Sequence, residues 1–138
     1  MTATTHWLDA RHPLQIAVAL LALLPLGAGL AGVIGGPGLL DEAARHRGLD
    51  SHARYLSGLL VGVGLAYWAA IPDIERRGSI FRVLTMIVVA GGLSRLLGAS
   101  ITGHASLATI WPLISELVAV PLVYLWQQRV ARVAGHSG

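Results

Sequence analysis

Residues 14–36, LQIAVALLALLPLGAGLAGVIGG, carry no charge, and three later runs, at about 51–71, 79–98 and 107–126, are almost as apolar. Polar breaks separate them: DEAARHRGLD at 41–50, PDIERRG at 72–78 and TGHAS at 102–106, with QQRVARVAGHSG closing the chain. About 20 apolar residues suffice to cross a hydrocarbon layer of roughly 30 Å, so each run has the length of a membrane span. Backbone amides in hydrocarbon must pair within their own segment, which selects helices, and the alternation of a barrel strand is absent. Short breaks make neighbouring helices antiparallel. The pattern therefore predicts an all-α integral membrane protein, an up-down four-helix bundle, as a single transmembrane domain over residues 1–138.

Composition sharpens this picture. Hydrophobic residues make up 54% and charged residues 12% of the 138, with a mean hydropathy of +0.66, against about 25% charged in an ordinary soluble domain. A secretory signal is the rival reading of the first run, since AGLAG follows its leucines. The run is long, however, and only Arg11 precedes it, offset by Asp9. All ten basic residues are arginine, and they form neither a stripe nor a cluster interleaved with aromatics, so nucleic acid is not an expected partner. The chain contains no cysteine, which excludes disulfides, thiolate catalysis and iron–sulfur sites.

Arginine placement predicts orientation. Arg11, Arg76, Arg77, Arg82, Arg129 and Arg132 lie on the side of both termini and the second break; Arg45, Arg47 and Arg54 lie on the other. Both termini are therefore expected in the cytoplasm. Trp7, Tyr67, Trp68, Tyr124 and Trp126 map to the same inner boundary as interfacial anchors.

Within the runs, Gly58 and Gly62, and likewise Gly32 and Gly36, recur four residues apart, a spacing that lets helix backbones approach closely in lipid. Pro25, Pro112 and Pro121 each remove a backbone donor inside a span and predict kinks. The GGPG segment is not a phosphate loop, because no Gly-Lys-Ser/Thr follows it. Neither a Gly-x-Ser-x-Gly elbow nor a His-Glu-x-x-His motif is present.

The candidate chemistry lies in the outer half of spans two to four. Glu116 comes about nine residues into the fourth span, roughly 14 Å deep, and Arg95 near the end of the third can reach it across the hairpin. Charges at such depth are costly unless paired and commonly mark function. His52, Arg54 and Tyr55 occupy the first turn of span two; Gly91, Arg95 and Gly98 share one face of span three, and Thr109 shares a stripe with Glu116. His104 sits in the outer break.

Four readings stand side by side. Arg54, Arg95 and Glu116 tie the helices together as an ion network; or Arg54, Tyr55, Arg95, Glu116 and His52 line an outward-facing pocket for a small amphipathic or anionic ligand of the lipid or quinone class. In the third, glycine faces dock the chain as an accessory subunit of a larger membrane complex or a homo-oligomer. In the fourth, Glu116 acts as acid or base, with His52 assisting, in an isomerase or hydrolase of lipophilic substrates. A metal site is not expected, because Asp50, His52, His104 and Glu116 have no zinc-like spacing. No cofactor is expected either, and membrane lipid is an expected partner.

SHARYLSGLLVGVGLAYWAAIPDIERRGSIFRVLTMIVVAGGLSRLLGASITG, with SELVAVPLVYLWQQRVAR after it, resembles a family of small bacterial membrane proteins known as domain of unknown function 4345. The resemblance covers roughly residues 39–133: the polar start at His52, Arg54, Tyr55, Ser57 and Gly58, the GGLSR motif with Gly91, Gly92 and Arg95, and Glu116 ahead of a proline-containing last helix. It implies a four-span inner-membrane protein whose signature is this polar constellation, and it supplies no activity. In size and architecture the chain is also broadly similar to small four-span proteins of the DoxX type.

Overall fold

The computed structural model describes residues 3–36, 47–103 and 106–135, and all the regular structure among them is helical. Helix α1 spans Ala3–Gly35, α2 Arg47–Ala70 and α3 Gly78–Thr102. A last rod consists of α4, Leu107–Ile114, a π-helical turn, Ser115–Ala119, and α5, Val120–Gly135. Among the described residues, three segments are long and apolar enough to cross a membrane: Ala10–Gly35, Gly78–Thr102 and Thr109–Gly135. Helix α2 is less apolar, because Asp50, His52 and Arg54 occupy its start. Its uncharged part, residues 55–70, is about 24 Å long at 1.5 Å per residue.

The rods exceed the predicted spans for identifiable reasons. Helix α1 begins at Ala3, ahead of the apolar run, since nothing in the polar HWLDARH stretch breaks a helix that water can solvate. Helix α3 continues past residue 98 because Ser94, Ser100 and Thr102 return their hydroxyls to the carbonyls of Ala90, Leu96 and Gly98, one turn back, at 2.8–3.0 Å. It stops at Gly103, whose φ of 68° places it in the left-handed region while its N–H closes onto the Ala99 carbonyl.

The chain falls into two compact units, residues 19–69 and residues 1–18 with 70–138. In the first, the end of α1 packs antiparallel against α2. A Cβ on Gly29 would stand 2.7 Å from the Ser57 carbonyl oxygen and 2.8 Å from the Val61 nitrogen, and one on Gly64 would stand 2.5 Å from Leu26 Cγ. These glycines, with Gly32 against Ser57, create the close approach. Gly58 and Gly62 do not take part: nothing lies within 4 Å of their Cβ positions. Trp68 Nε1 donates to the Ala19 carbonyl at 3.2 Å, and Ala22, Leu26 and Tyr67 are buried.

In the second unit, the turn 71–77 is held by side chains remote in sequence. Arg11 Nη2 donates to the Pro72 carbonyl, Gln15 Nε2 to that of Ile71 at 3.0 Å, and Gln127 Nε2 to that of Ile74 at 2.7 Å. Arg11 also pairs with Glu75 at 3.4 Å. Leu14, Ile74, Phe81 and Gln127 are fully buried, whereas the flanks of the rods expose Ile16, Met86, Leu97, Ile101 and Trp111, surface suited to lipid.

Candidate functional site

At Gly92, α3 comes close against the last rod. A Cβ there would lie 2.8 Å from Leu117 Cδ2 and 3.0 Å from Glu116 Cβ. The missing side chain draws the π-turn against α3, and Arg95, nearly one turn further on, is thereby brought to Glu116. Arg95 Nε donates to Glu116 Oε2 and Nη2 to Oε1, both at 3.2 Å, a two-pronged guanidinium–carboxylate pair. Because α3 runs on to Thr102, Arg95 lies seven residues, about 10 Å, inside its end. Both charges therefore belong to the apolar body of their rods.

The π-turn has a local cause. Pro121 cannot supply the N–H that the Leu117 carbonyl would receive in an α-helix, and Val120 N–H instead reaches back five residues to Ser115. At the other end Pro112 also lacks a donor, while its own carbonyl accepts from Ser115 Oγ at 2.8 Å. The widened turn presents Glu116 toward α3 with its side chain mostly covered, 16% exposed against 41% for Arg95.

Two guanidinium N–H groups are consumed by the carboxylate. Among the described residues, Arg95 Nη1 has no hydrogen-bond partner. Beside it on α3, Gly91 and Gly98 have open space where side chains would otherwise stand. An arginine that is fixed on one edge, uncommitted on the other and flanked by bare backbone is suited to take an acceptor oxygen.

Of the other predicted residues, Arg54, His52 and Tyr55 belong to the other unit. Arg54 donates Nη1 to the Val33 and Ile34 carbonyls and pairs Nε with Asp50 Oδ2 at 3.0 Å. These are among the last carbonyls of α1, whose end at Gly35 is followed by Gly36 with φ 62°, so Arg54 acts as a side-chain cap on the negative end of that helix. His52 is exposed on α2, and Tyr55 is 64% exposed. Thr109 Oγ1 shares a 3.1 Å hydrogen bond with Ser106 Oγ at the start of α4. His104 lies outside the described residues. The structure thus joins Arg95 to Glu116 directly, while Arg54 holds the end of α1.

The polar clamp of Arg11, Gln15 and Gln127 was not anticipated from sequence. Its one sequence signal is a pair of glutamines, Gln15 and Gln127, at the edges of apolar runs.

A family model described as a domain of unknown function (DUF4345) matches residues 13–127. No curated protein and no solved structure matches the chain.

Proposed function

The chain belongs to the DUF4345 family, a domain of unknown function, and on that premise we propose that it is a bacterial inner-membrane protein that binds a small amphipathic or anionic molecule at Arg95. In this reading all four rods cross the membrane up and down, both termini are cytoplasmic, and α2 crosses with its short uncharged stretch while Arg54 and Asp50 stand at the outer boundary. The ligand is of the lipid or quinone class: its oxygen accepts from the uncommitted Arg95 edge and its apolar body lies over Gly91 or Gly98. Glu116 holds the guanidinium in place and offsets its charge.

The observation carrying this reading is the half-used guanidinium within an apolar helix. A purely structural ion pair in hydrocarbon would gain from satisfying every donor, since an unmet one has no water to turn to. A second reading, that of an accessory subunit, is favoured by Gly58 and Gly62, which lie open on α2 at the spacing of helix–helix contacts.

The test is mass spectrometry of molecules extracted from the protein purified in mild detergent, compared among wild type, Arg95→Lys, Arg95→Ala and Glu116→Gln. A shared lipid- or quinone-like species should be retained by wild type and depleted in the variants, including Arg95→Lys, which keeps the charge but loses the fork. Equal retention by all four proteins would remove the binding reading.

A further inference from the structure

At the end of the second unit that carries the turn 71–77, each described acidic side chain already has a partner: Asp73 pairs with Arg77 at 3.2 Å and Glu75 with Arg11 at 3.4 Å. Three arginines remain beyond these pairs. Arg76 in the turn, Arg82 at the start of α3 and Arg129 on α5 are all exposed, and none of their guanidinium groups has an ion-pair or hydrogen-bond partner among the described residues. They belong to one end of the unit. Gln127 on α5 bonds the Ile74 carbonyl, and a Cβ on Gly78, the first residue of α3, would stand 3.1 Å from Gln128 Nε2. Arg129 therefore follows directly on the residues that seat α5 against the turn and the start of α3.

We propose that Arg76, Arg82 and Arg129 form a rim that binds the phosphate headgroups of anionic phospholipids. The proposal rests on the chain spanning a membrane and is independent of any ligand at Arg95. The chemistry follows from the residue type. A guanidinium offers two parallel N–H groups to a phosphate and sheds its hydration more readily than an ammonium, and every basic residue of this chain is arginine. The depth is also suitable. Trp126, 36% exposed, precedes Arg129 by three residues on α5, the level at which an interfacial indole meets the acyl boundary while the guanidinium lies among headgroups. With the local acids neutralised in pairs, the three free cations face an anionic leaflet without internal competition.

The experiment uses the full chain in an uncharged detergent, titrated with phosphatidylglycerol or phosphatidylcholine, with bound lipids counted by native mass spectrometry. Wild type should retain phosphatidylglycerol at least about tenfold better than phosphatidylcholine, and the preference should fall as salt rises from low to high concentration. The variant R76Q/R82Q/R129Q should lose the preference, and each single variant should weaken it by up to about fivefold. The single variants provide the reading if the triple variant does not reach wild-type helical content. A folded triple variant with an undiminished preference would overturn the proposal. So would complete displacement of phosphatidylglycerol by an equal concentration of inorganic phosphate, because the site would then take a free anion. The triple variant should keep whatever co-purifies through Arg95, so the two readings fail separately.

Discussion

Replacing Gly29 with alanine tests whether α1 and α2 are held together by bare backbone. The new Cβ would stand 2.7 Å from the Ser57 carbonyl oxygen, 2.8 Å from the Val61 nitrogen and 2.8 Å from Val61 Cγ2, where ordinary contact begins at 3.4 Å. Two of these three atoms are main chain, so no rotamer change on α2 relieves the overlap. The helices must move apart by the 0.7 Å shortfall, and a gap of 0.5–1 Å forfeits roughly a quarter to a half of each dispersion contact beside it. Overpacking of this kind costs about 1–3 kcal/mol. Gly62→Ala is the internal control: it adds the same methyl group to the same helix pair, meets nothing within 4 Å, and should be neutral or stabilising by up to about 1 kcal/mol through helix propensity. Unfolding in mixed detergent micelles, followed by circular dichroism against the fraction of denaturing detergent, measures both variants. If Gly29→Ala and Gly62→Ala unfold together, the close approach does not hold α1 to α2.

The Arg95–Glu116 pair predicts a non-additive cycle. Glu116→Ala should cost about 1–3 kcal/mol by stranding the guanidinium, whereas the double variant Arg95→Met/Glu116→Leu should unfold closer to wild type than either single change. Gln127→Leu removes the donor to the Ile74 carbonyl at a fully buried position and should cost about 1–3 kcal/mol in the same assay. Gly36→Ala and Gly103→Ala both force an L-residue into left-handed backbone, at about 1–2 kcal/mol. Gly36→Ala should be the worse of the two, because its methyl group also meets Asp50 Oδ1 at 2.5 Å while Gly103 faces open space, and equal melting temperatures would refute the role given to the Arg54–Asp50 cap.

The helical class was legible because absence of charge over a bilayer's width leaves the backbone few other options. The Arg95–Glu116 pair was legible too, since two opposite charges in adjacent apolar helices at similar depth have few other partners. Arg54 was not, because its partners are main-chain carbonyls of α1, and carbonyls leave no mark in a sequence. The glycine contacts were half legible. Four-residue spacing identifies a flat helix face, but a helix that is apolar all round gives no signal as to which face meets its neighbour, and Gly29 and Gly64 took the role expected of Gly58 and Gly62. Pro112 and Pro121 announced a disturbance, yet a missing donor alone does not distinguish a kink from a π-turn; that depends on which nearby N–H closes the turn, here Val120 reaching back to Ser115.

The clamp on residues 71–77 has a bearing on biogenesis. Its donors lie 61, 56 and 53 positions from the carbonyls they serve, two upstream and one downstream. A nascent chain can engage Arg11 and Gln15 as soon as the turn leaves the ribosome, but Gln127 is translated only after α3 and most of the last rod. Until then the Ile74 carbonyl lacks its donor, so the lock on this turn closes only once the final helix is in place, and chains truncated before Gln127 should present quality-control proteases with an unsecured hinge.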